Sequence, residues 1–127
     1  MVQSVLVVDD EPNIVLSLEF LMTQAGYDVQ VARDGEQALQ AINDSKPDLV
    51  LLDIMMPDPD GISVCESIRS DPDLRDMPVI MLTAKGRNLE REKGLAAGAS
   101  DFITKPFSNR EVIERVAALL AVGKTSA

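Results

Sequence analysis

The chain contains no histidine, which removes the commonest zinc ligand and the commonest general base from its chemistry. Any phosphohistidine step that involves it must therefore draw that residue from another protein. A single cysteine, Cys65, excludes an internal disulfide. It falls on an apolar helical pattern with Ile62 and Ile68 and reads as a small buried hydrophobe rather than a redox thiol. Cations are scarce: 12 Lys and Arg against 21 Asp and Glu give a net charge of −9. That balance opposes nucleic-acid binding by this domain, because such binding draws on clustered cations that neutralise phosphates. The hydrophobic runs are short, far below the roughly 20 residues that span a bilayer. No basic segment or small-residue cleavage site precedes VLVVDD. The expectation is a cytoplasmic protein that does not associate with membranes.

What is present suits one soluble domain. The chain has 127 residues, 46% apolar and 26% charged, within the ordinary range for a globular domain. A chain near this size buries roughly 70% of its unfolded surface, enough for a real core. No linker, repeat or low-complexity tract divides it. The expected domain covers residues 1–122, with 123–127 as a frayed tail or the start of a linker.

Four short apolar runs and one weaker one read as strands: Val5 to Val8, Val29 to Val31, Leu49 to Leu52, Val79 to Leu82 and Phe102 to Thr104. Runs of this kind suit strands covered on both faces, as in a parallel sheet. Helical patterns separate them. The first follows Pro12, carries Ile14, Leu18, Leu21 and Ala25, and stops at Gly26. The second opens on Asp34 with Gln37 three residues on, a capping-box variant, and turns Ala38, Leu39 and Ile42 inward. The third runs from about Gly61 to Arg69. The fourth, about Asn88 to Ala97, is weak: it has few apolar residues, and Gly94 costs about 1 kcal/mol relative to alanine. The fifth begins at Ser108 with Glu111 three residues on and carries Val112, Val116 and Leu119. Alternating strands and helices predict an α/β fold, a single doubly wound five-stranded parallel sheet with five helices.

In such sheets ligands bind outside the carboxyl ends of the strands, near the point where strand order reverses. The conspicuous polar residues sit at those ends. Asp9, Asp10 and Glu11 follow the first strand, Asp53 the third, Thr83 ends the fourth and Lys105 the fifth. Acids at strand ends also cap the helix that follows, but capping does not account for a cation and a hydroxyl on the same rim. Neighbouring carboxylates repel by about 4 kcal/mol at 4 Å and an effective dielectric of 20. A rim that keeps them is suited to a cation, and carboxylate oxygens with room for water suit Mg²⁺. A lysine and a threonine supply partners for phosphoryl oxygens, and a central carboxylate can serve as nucleophile, giving an acyl phosphate.

The segments VLVVDDEP, DLVLLDIMMPDPDG, PVIMLTA and GASDFITKPF resemble, in order and spacing, the motifs of bacterial response-regulator receiver domains, over essentially the whole chain. The resemblance implies a flavodoxin-like sheet of order 2-1-3-4-5, which brings the acids of the first and third strands together. It implies Asp53 as phosphoacceptor, a signalling role rather than an enzyme's. It further implies Mg²⁺ held by Asp10, Asp53 and the Met55 carbonyl, with Asp9 acting through water. Thr83 and Lys105 would pair with phosphoryl oxygens, Lys105 ahead of a cis bond to Pro106. Phe102 would be the switch aromatic that turns inward when Thr83 moves; plain core is a compatible role for it. Met55 and Lys85 flank the site, where relatives tune water access to the acyl phosphate, and an apolar Met55 favours slow self-dephosphorylation. The phosphodonor is expected to be a sensor histidine kinase or a histidine phosphotransfer protein. It would dock over Ile14, Pro106 and Phe107, with Leu16 and Phe20 as a second apolar stripe. Signalling is expected through the fourth helix, fifth strand and fifth helix. There Asp101, Arg110 and Arg115 are candidate charges for a phosphorylation-dependent homodimer.

Three other readings compete. A phosphorylation-independent interaction domain would ordinarily lack an acid or the lysine, and all are present. An aspartyl-phosphate phosphatase of the haloacid-dehalogenase type needs a second Asp two past the nucleophile, where Met55 stands. A flavodoxin-like cofactor carrier needs a hydroxyl- and glycine-rich loop after the first strand, whereas DDEP would repel the phosphate.

Overall fold

The computed structural model describes residues 2–84, 86 and 88–125, with the side chains of 122–125 excepted. The five strands are β1 (Ser4–Val8), β2 (Asp28–Ala32), β3 (Leu49–Asp53), β4 (Val79–Ala84) and β5 (Asp101–Lys105). The helices between and after them are α1 (Pro12–Gln24), α2 (Gly35–Ser45), α3 (Gly61–Ser70), α4 (Asn88–Ala97) and α5 (Asn109–Thr125). All strand pairs are parallel, in the order β2-β1-β3-β4-β5. This is the expected doubly wound sheet.

Side chains alternate across a strand, and the alternation divides the core in two. Val5, Val7, Leu49, Leu51, Ile80 and Leu82 pack on one face against Leu18 and Met22 of α1 and Val112 and Val116 of α5. Leu6, Val8, Val50, Leu52 and Met81 pack on the other against Ala38 and Ile42 of α2 and Val64, Cys65 and Ile68 of α3. Each fully buried Val, Leu or Ile contributes about 1.5–3 kcal/mol. Continuous apolar strands are therefore what a sheet covered on both sides requires. Cys65 is buried and unpaired, and burial pushes its thiol pKa up, as suits an inert core residue. No described helix is long and apolar enough to cross a membrane.

Local chemistry sets the helix starts. Asp34 accepts a hydrogen bond from the Gln37 backbone N–H at 2.8 Å, and the Gln37 side chain reaches back to the N–H of Arg33 at 2.9 Å, one residue before the cap. Asp60 caps α3 through the Ser63 N–H at 2.9 Å, and Ser108 caps α5 through the Glu111 N–H at 3.1 Å.

The structure differs from the sequence reading in four places. The strands run one or two residues further, because ladder hydrogen bonds come from the backbone and do not stop where side chains become polar. Asp53 pairs with Leu82 and Lys105 with Ala84 inside the sheet. On α1, Ala25 is exposed and Val15 and Met22 are buried instead, because the buried stripe is wider than a single row of side chains. On α5, Leu120 is buried and Leu119 only partly so. Finally, α5 continues to Thr125, through Gly123 to Thr125 of the segment expected to be a tail. Ser126 and Ala127 lie outside the described residues, as does Lys85.

Candidate functional site at the carboxyl ends of β1, β3, β4 and β5

Placing β1 beside β3 brings the acids together. One carboxylate oxygen each from Asp9, Asp10 and Asp53 lie within 4.8 Å of one another. Asp9 and Asp53 are buried, and Asp10 is exposed at the mouth. The backbone orients two of them: Asp9 Oδ1 accepts from the Glu11 N–H at 2.9 Å, and Asp53 Oδ1 from the Met55 N–H at 3.2 Å. Behind Asp53 the chain folds back closely, and the Gly61 N–H donates to the Ile54 carbonyl at 3.1 Å. A Cβ on Gly61 would overlap the Asp53 carbonyl oxygen, so glycine there lets α3 start against the end of β3.

Lys105 enters from two strands away. Its ammonium donates to Asp9 Oδ2 at 2.8 Å and lies 3.4 Å from Asp53 Oδ1 and 3.7 Å from Glu11 Oε1. Burial alone would lower the lysine's pKa, but the hydrogen bond to Asp9 and the charges of Asp53 and Asp9 outweigh it and raise it. The Asp53 carboxyl also moves up, which for an acid favours the neutral form. Burial first, then the charge of Asp9, push its carboxyl up to about 7 despite the opposing pull of Lys105. Thr83 is buried one residue past the partner of Asp53 on β4. Its hydroxyl stands 3.5 Å from the Ala84 carbonyl, the outer limit of hydrogen bonding.

The donor set fits a hard divalent cation. It consists of oxygens only, with two buried carboxylates, a third at the opening, and excess negative charge that a single lysine leaves uncompensated. Such oxygens suit Mg²⁺, which keeps several waters and takes one or two protein carboxylates.

The remaining sequence candidates fall around this centre. Met55 is 53% exposed beside Asp53. Phe102 is buried, its ring turned into the domain. Pro106 is exposed, and the bond from Lys105 to it is cis. Ile14 and Phe107 are half-buried and pack against the α1–α5 core, so both also serve stability. Leu16 and Phe20 are 67% and 65% exposed and lie together on the outer face of α1 with Asn13 and Ser17. On α5, Arg115 bridges Asp101 at 2.8 Å and Glu111 at 3.3 Å, and Arg110 pairs with Glu114 at 2.8 Å.

Sequence reasoning missed two cations. The Arg91 guanidinium lies over the Phe102 ring, 5.3 Å from its centroid. Arg69 donates to the carbonyls of Gly98, Met77 and Arg75 at 2.8, 2.7 and 3.0 Å. The three-residue step from Arg91 to the glycine beneath the ring was a readable signal. Residue spacing does not mark an arginine whose partners are three backbone carbonyls, 6 to 29 residues along the chain.

A family model of the response regulator receiver domain matches residues 5–117. Among solved structures, a Chloroflexus aurantiacus protein described as a response regulator is 37% identical with a TM-score of 0.92, over 95% of this chain and 99% of that one. The signal receiver domain of a signal transduction histidine kinase from Syntrophus aciditrophicus is 34% identical with a TM-score of 0.88, over 94% and 90%. NtrX from Brucella abortus is 32% identical with a TM-score of 0.90, over 99% of this chain but 28% of that longer one. A receiver match over this span, on a sheet of this order, places the chain in the response regulator receiver family of two-component signalling.

Proposed function

We propose that the domain is a phosphoacceptor whose nucleophile is Asp53. The observation that carries this reading is the placement of one buried carboxylate, at the end of the central strand, within reach of both a lysine and two further acids. A carboxylate oxygen of Asp53 attacks the phosphorus of a phosphohistidine, the P–N bond breaks, and the imidazole of the partner departs with the electron pair. The product is an acyl phosphate on Asp53.

Asp9, Asp10, Asp53 and the Met55 carbonyl would hold Mg²⁺, which when bound offsets the charge that the phosphoryl oxygens bring to an acidic rim. The protein's own groups do the rest. Lys105 exchanges one of its carboxylate contacts for a phosphoryl oxygen, a charge-assisted bond. The Thr83 hydroxyl, weakly engaged with Ala84, turns to another, and Phe102, the switch aromatic of this reading, already has its ring inward. Met55 presents a thioether that cannot orient a hydrolytic water, so the acyl phosphate decays slowly.

The donor is a sensor histidine kinase or a histidine phosphotransfer protein, docking over Ile14, Pro106 and Phe107. The reading places the domain in the cytoplasm, where kinases find ATP, with no role in binding nucleic acid or membrane. Output runs through α4, β5 and α5, which carry the exposed Leu95 and Ile113 and the Arg115–Asp101 pair, as a phosphorylation-dependent homodimer would use.

Incubation with acetyl phosphate and Mg²⁺ is expected to add one acid-labile phosphoryl group to the wild type and none to Asp53→Asn, read by intact mass spectrometry. A full adduct in the mutant would reassign the acceptor. No adduct in the wild type would favour a phosphorylation-independent interaction domain.

A further inference from the structure

The segment from Ile54 to Asp60 joins β3 to α3 and carries the Met55 carbonyl. Its ends are fixed by hydrogen bonds: the Met55 N–H donates to Asp53 Oδ1 at 3.2 Å, and the N–H groups of Met56 and Gly61 donate to the Ile54 carbonyl at 3.2 and 3.1 Å. In its middle, Pro57 and Pro59 have no N–H to donate. The position of this stretch therefore depends on what it packs against.

Pro59 packs against the first residue of α2. A Cβ on Gly35 would overlap the Pro59 carbonyl oxygen and would lie 2.7 Å from Pro59 Cγ and 3.0 Å from its carbonyl carbon. Two of those three atoms are backbone, which cannot rotate aside as the end of a side chain can. Gly35 is buried, and its own position is fixed from the opposite wall of the acidic rim. Asp34 and Gln37 cap the helix. Three residues before Gly35, the Ala32 carbonyl accepts from the Asp9 N–H at 3.2 Å, and Ala32 pairs with Val8. The end of β1, with Asp9 and Asp10, is thus joined through Ala32, Gly35 and Pro59 to the segment that carries Met55.

We infer that Gly35 is a positioning residue for the acidic site: its bare backbone lets the Met55 segment seat close enough to Asp9, Asp10 and Asp53 for the Met55 carbonyl to share their cation. A side chain at Gly35 pushes Pro59 outward, and the displacement passes along a short segment to Met55. The inference rests on the reading of the rim as a Mg²⁺ site, and the experiment separates the two.

Met55 and Met56 form the single Met–Met pair in the sequence. Protein made with carbonyl-¹³C, amide-¹⁵N methionine therefore gives one carbonyl-to-amide correlation, which reports the Met55 carbonyl. Mg²⁺ is expected to move this signal in the wild type and not in Asp10→Ala. Gly35→Ala is expected to weaken Mg²⁺ binding about ten-fold by calorimetric titration, as when the outer support of a metal ligand is lost. At saturating metal its Met55 signal should move less than in the wild type. Alanine is the better helix former, so a weaker site in this variant does not come from a frayed α2. Ala38→Gly, which loosens the same helix one turn on at another buried position, is expected to leave Mg²⁺ affinity unchanged. If Gly35→Ala does not fold, Pro59→Ala replaces it. That variant removes the Cγ that faces Gly35 and should weaken Mg²⁺ binding in the same sense. Wild-type affinity and Met55 movement in folded Gly35→Ala, or wild-type affinity in Pro59→Ala where Gly35→Ala is unfolded, overturn the positioning role. An equal loss in Ala38→Gly overturns it too and assigns the effect to helix stability. If Mg²⁺ leaves the wild-type signal in place, or moves it equally in Asp10→Ala, the metal reading of the rim fails and the positioning role falls with it.

Discussion

Lys105 makes its shortest contact with Asp9, at 2.8 Å, and not with Asp53, which lies at 3.4 Å. The lysine thus shares the two buried acids and occupies part of the negative potential that a bound cation would use.

On the proposed reading, that geometry sets Lys105 and Mg²⁺ in competition. A unit charge about 4 Å away is worth about 1 kcal/mol even in bulk water and more inside a protein. Lys105→Met should therefore tighten Mg²⁺ binding at least about five-fold by calorimetric titration, while slowing phosphorylation by acetyl phosphate. Mg²⁺ should raise the melting temperature of the wild type by about a few degrees, and Asp10→Ala should abolish that shift. Binding that weakens in Lys105→Met would remove the competition.

A second expectation concerns pH in metal-free protein. The Asp53 carboxyl titrates at about 7 in the fold, against its ordinary 3.8, so the folded state binds more protons than the unfolded state between those values. Stability from this group is present below pH ~4 and is lost as pH rises through about 7, by on the order of 4 kcal/mol at 1.36 kcal/mol per unit. Urea unfolding in EDTA should show the wild type losing stability relative to Asp53→Asn across this window. Parallel curves for the two proteins would contradict it.

The proposed docking surface can be separated from the core to which it contributes. Ile14 and Phe107 are half-buried, so truncation to alanine should cost about 1–3 kcal/mol of stability, below the figures for full burial. It should also slow phosphotransfer from the partner kinase about ten-fold or more, the loss of roughly 1.4 kcal/mol of recognition. Phosphorylation by acetyl phosphate, which has no protein surface to dock, should change little. Equal slowing with both donors would assign the residues to the core alone.

Much of the fold was legible because burial on both faces leaves a plain signature. VLVV, LVLL and VIML are apolar without alternation, and Asp34 and Ser108 stand where helix N-termini need acceptors. Strand ends were less legible, since Asp53 and Lys105 join the ladder through backbone groups that their side chains do not reveal. The wide stripe of α1 hid Val15 and Met22 for a related reason: sequence spacing marks a row of side chains, whereas burial follows a surface.

The site divides along the same line. Residue types and their positions at strand ends determined that acids, a hydroxyl and a lysine belong to one rim, because every strand of a parallel sheet delivers its carboxyl end to the same edge. Only the tertiary structure decided which atoms meet. Strand order sets β1 against β3 and so brings Asp9 and Asp10 to Asp53. The length of the Lys105 side chain, crossing from β5, selects Asp9 as its nearest partner. Arg91 over Phe102, Gly94 beneath it and Arg69 on three carbonyls are contacts between separate elements and the turns that join them. Their energies depend on distances of a few ångströms, which residue spacing alone does not set.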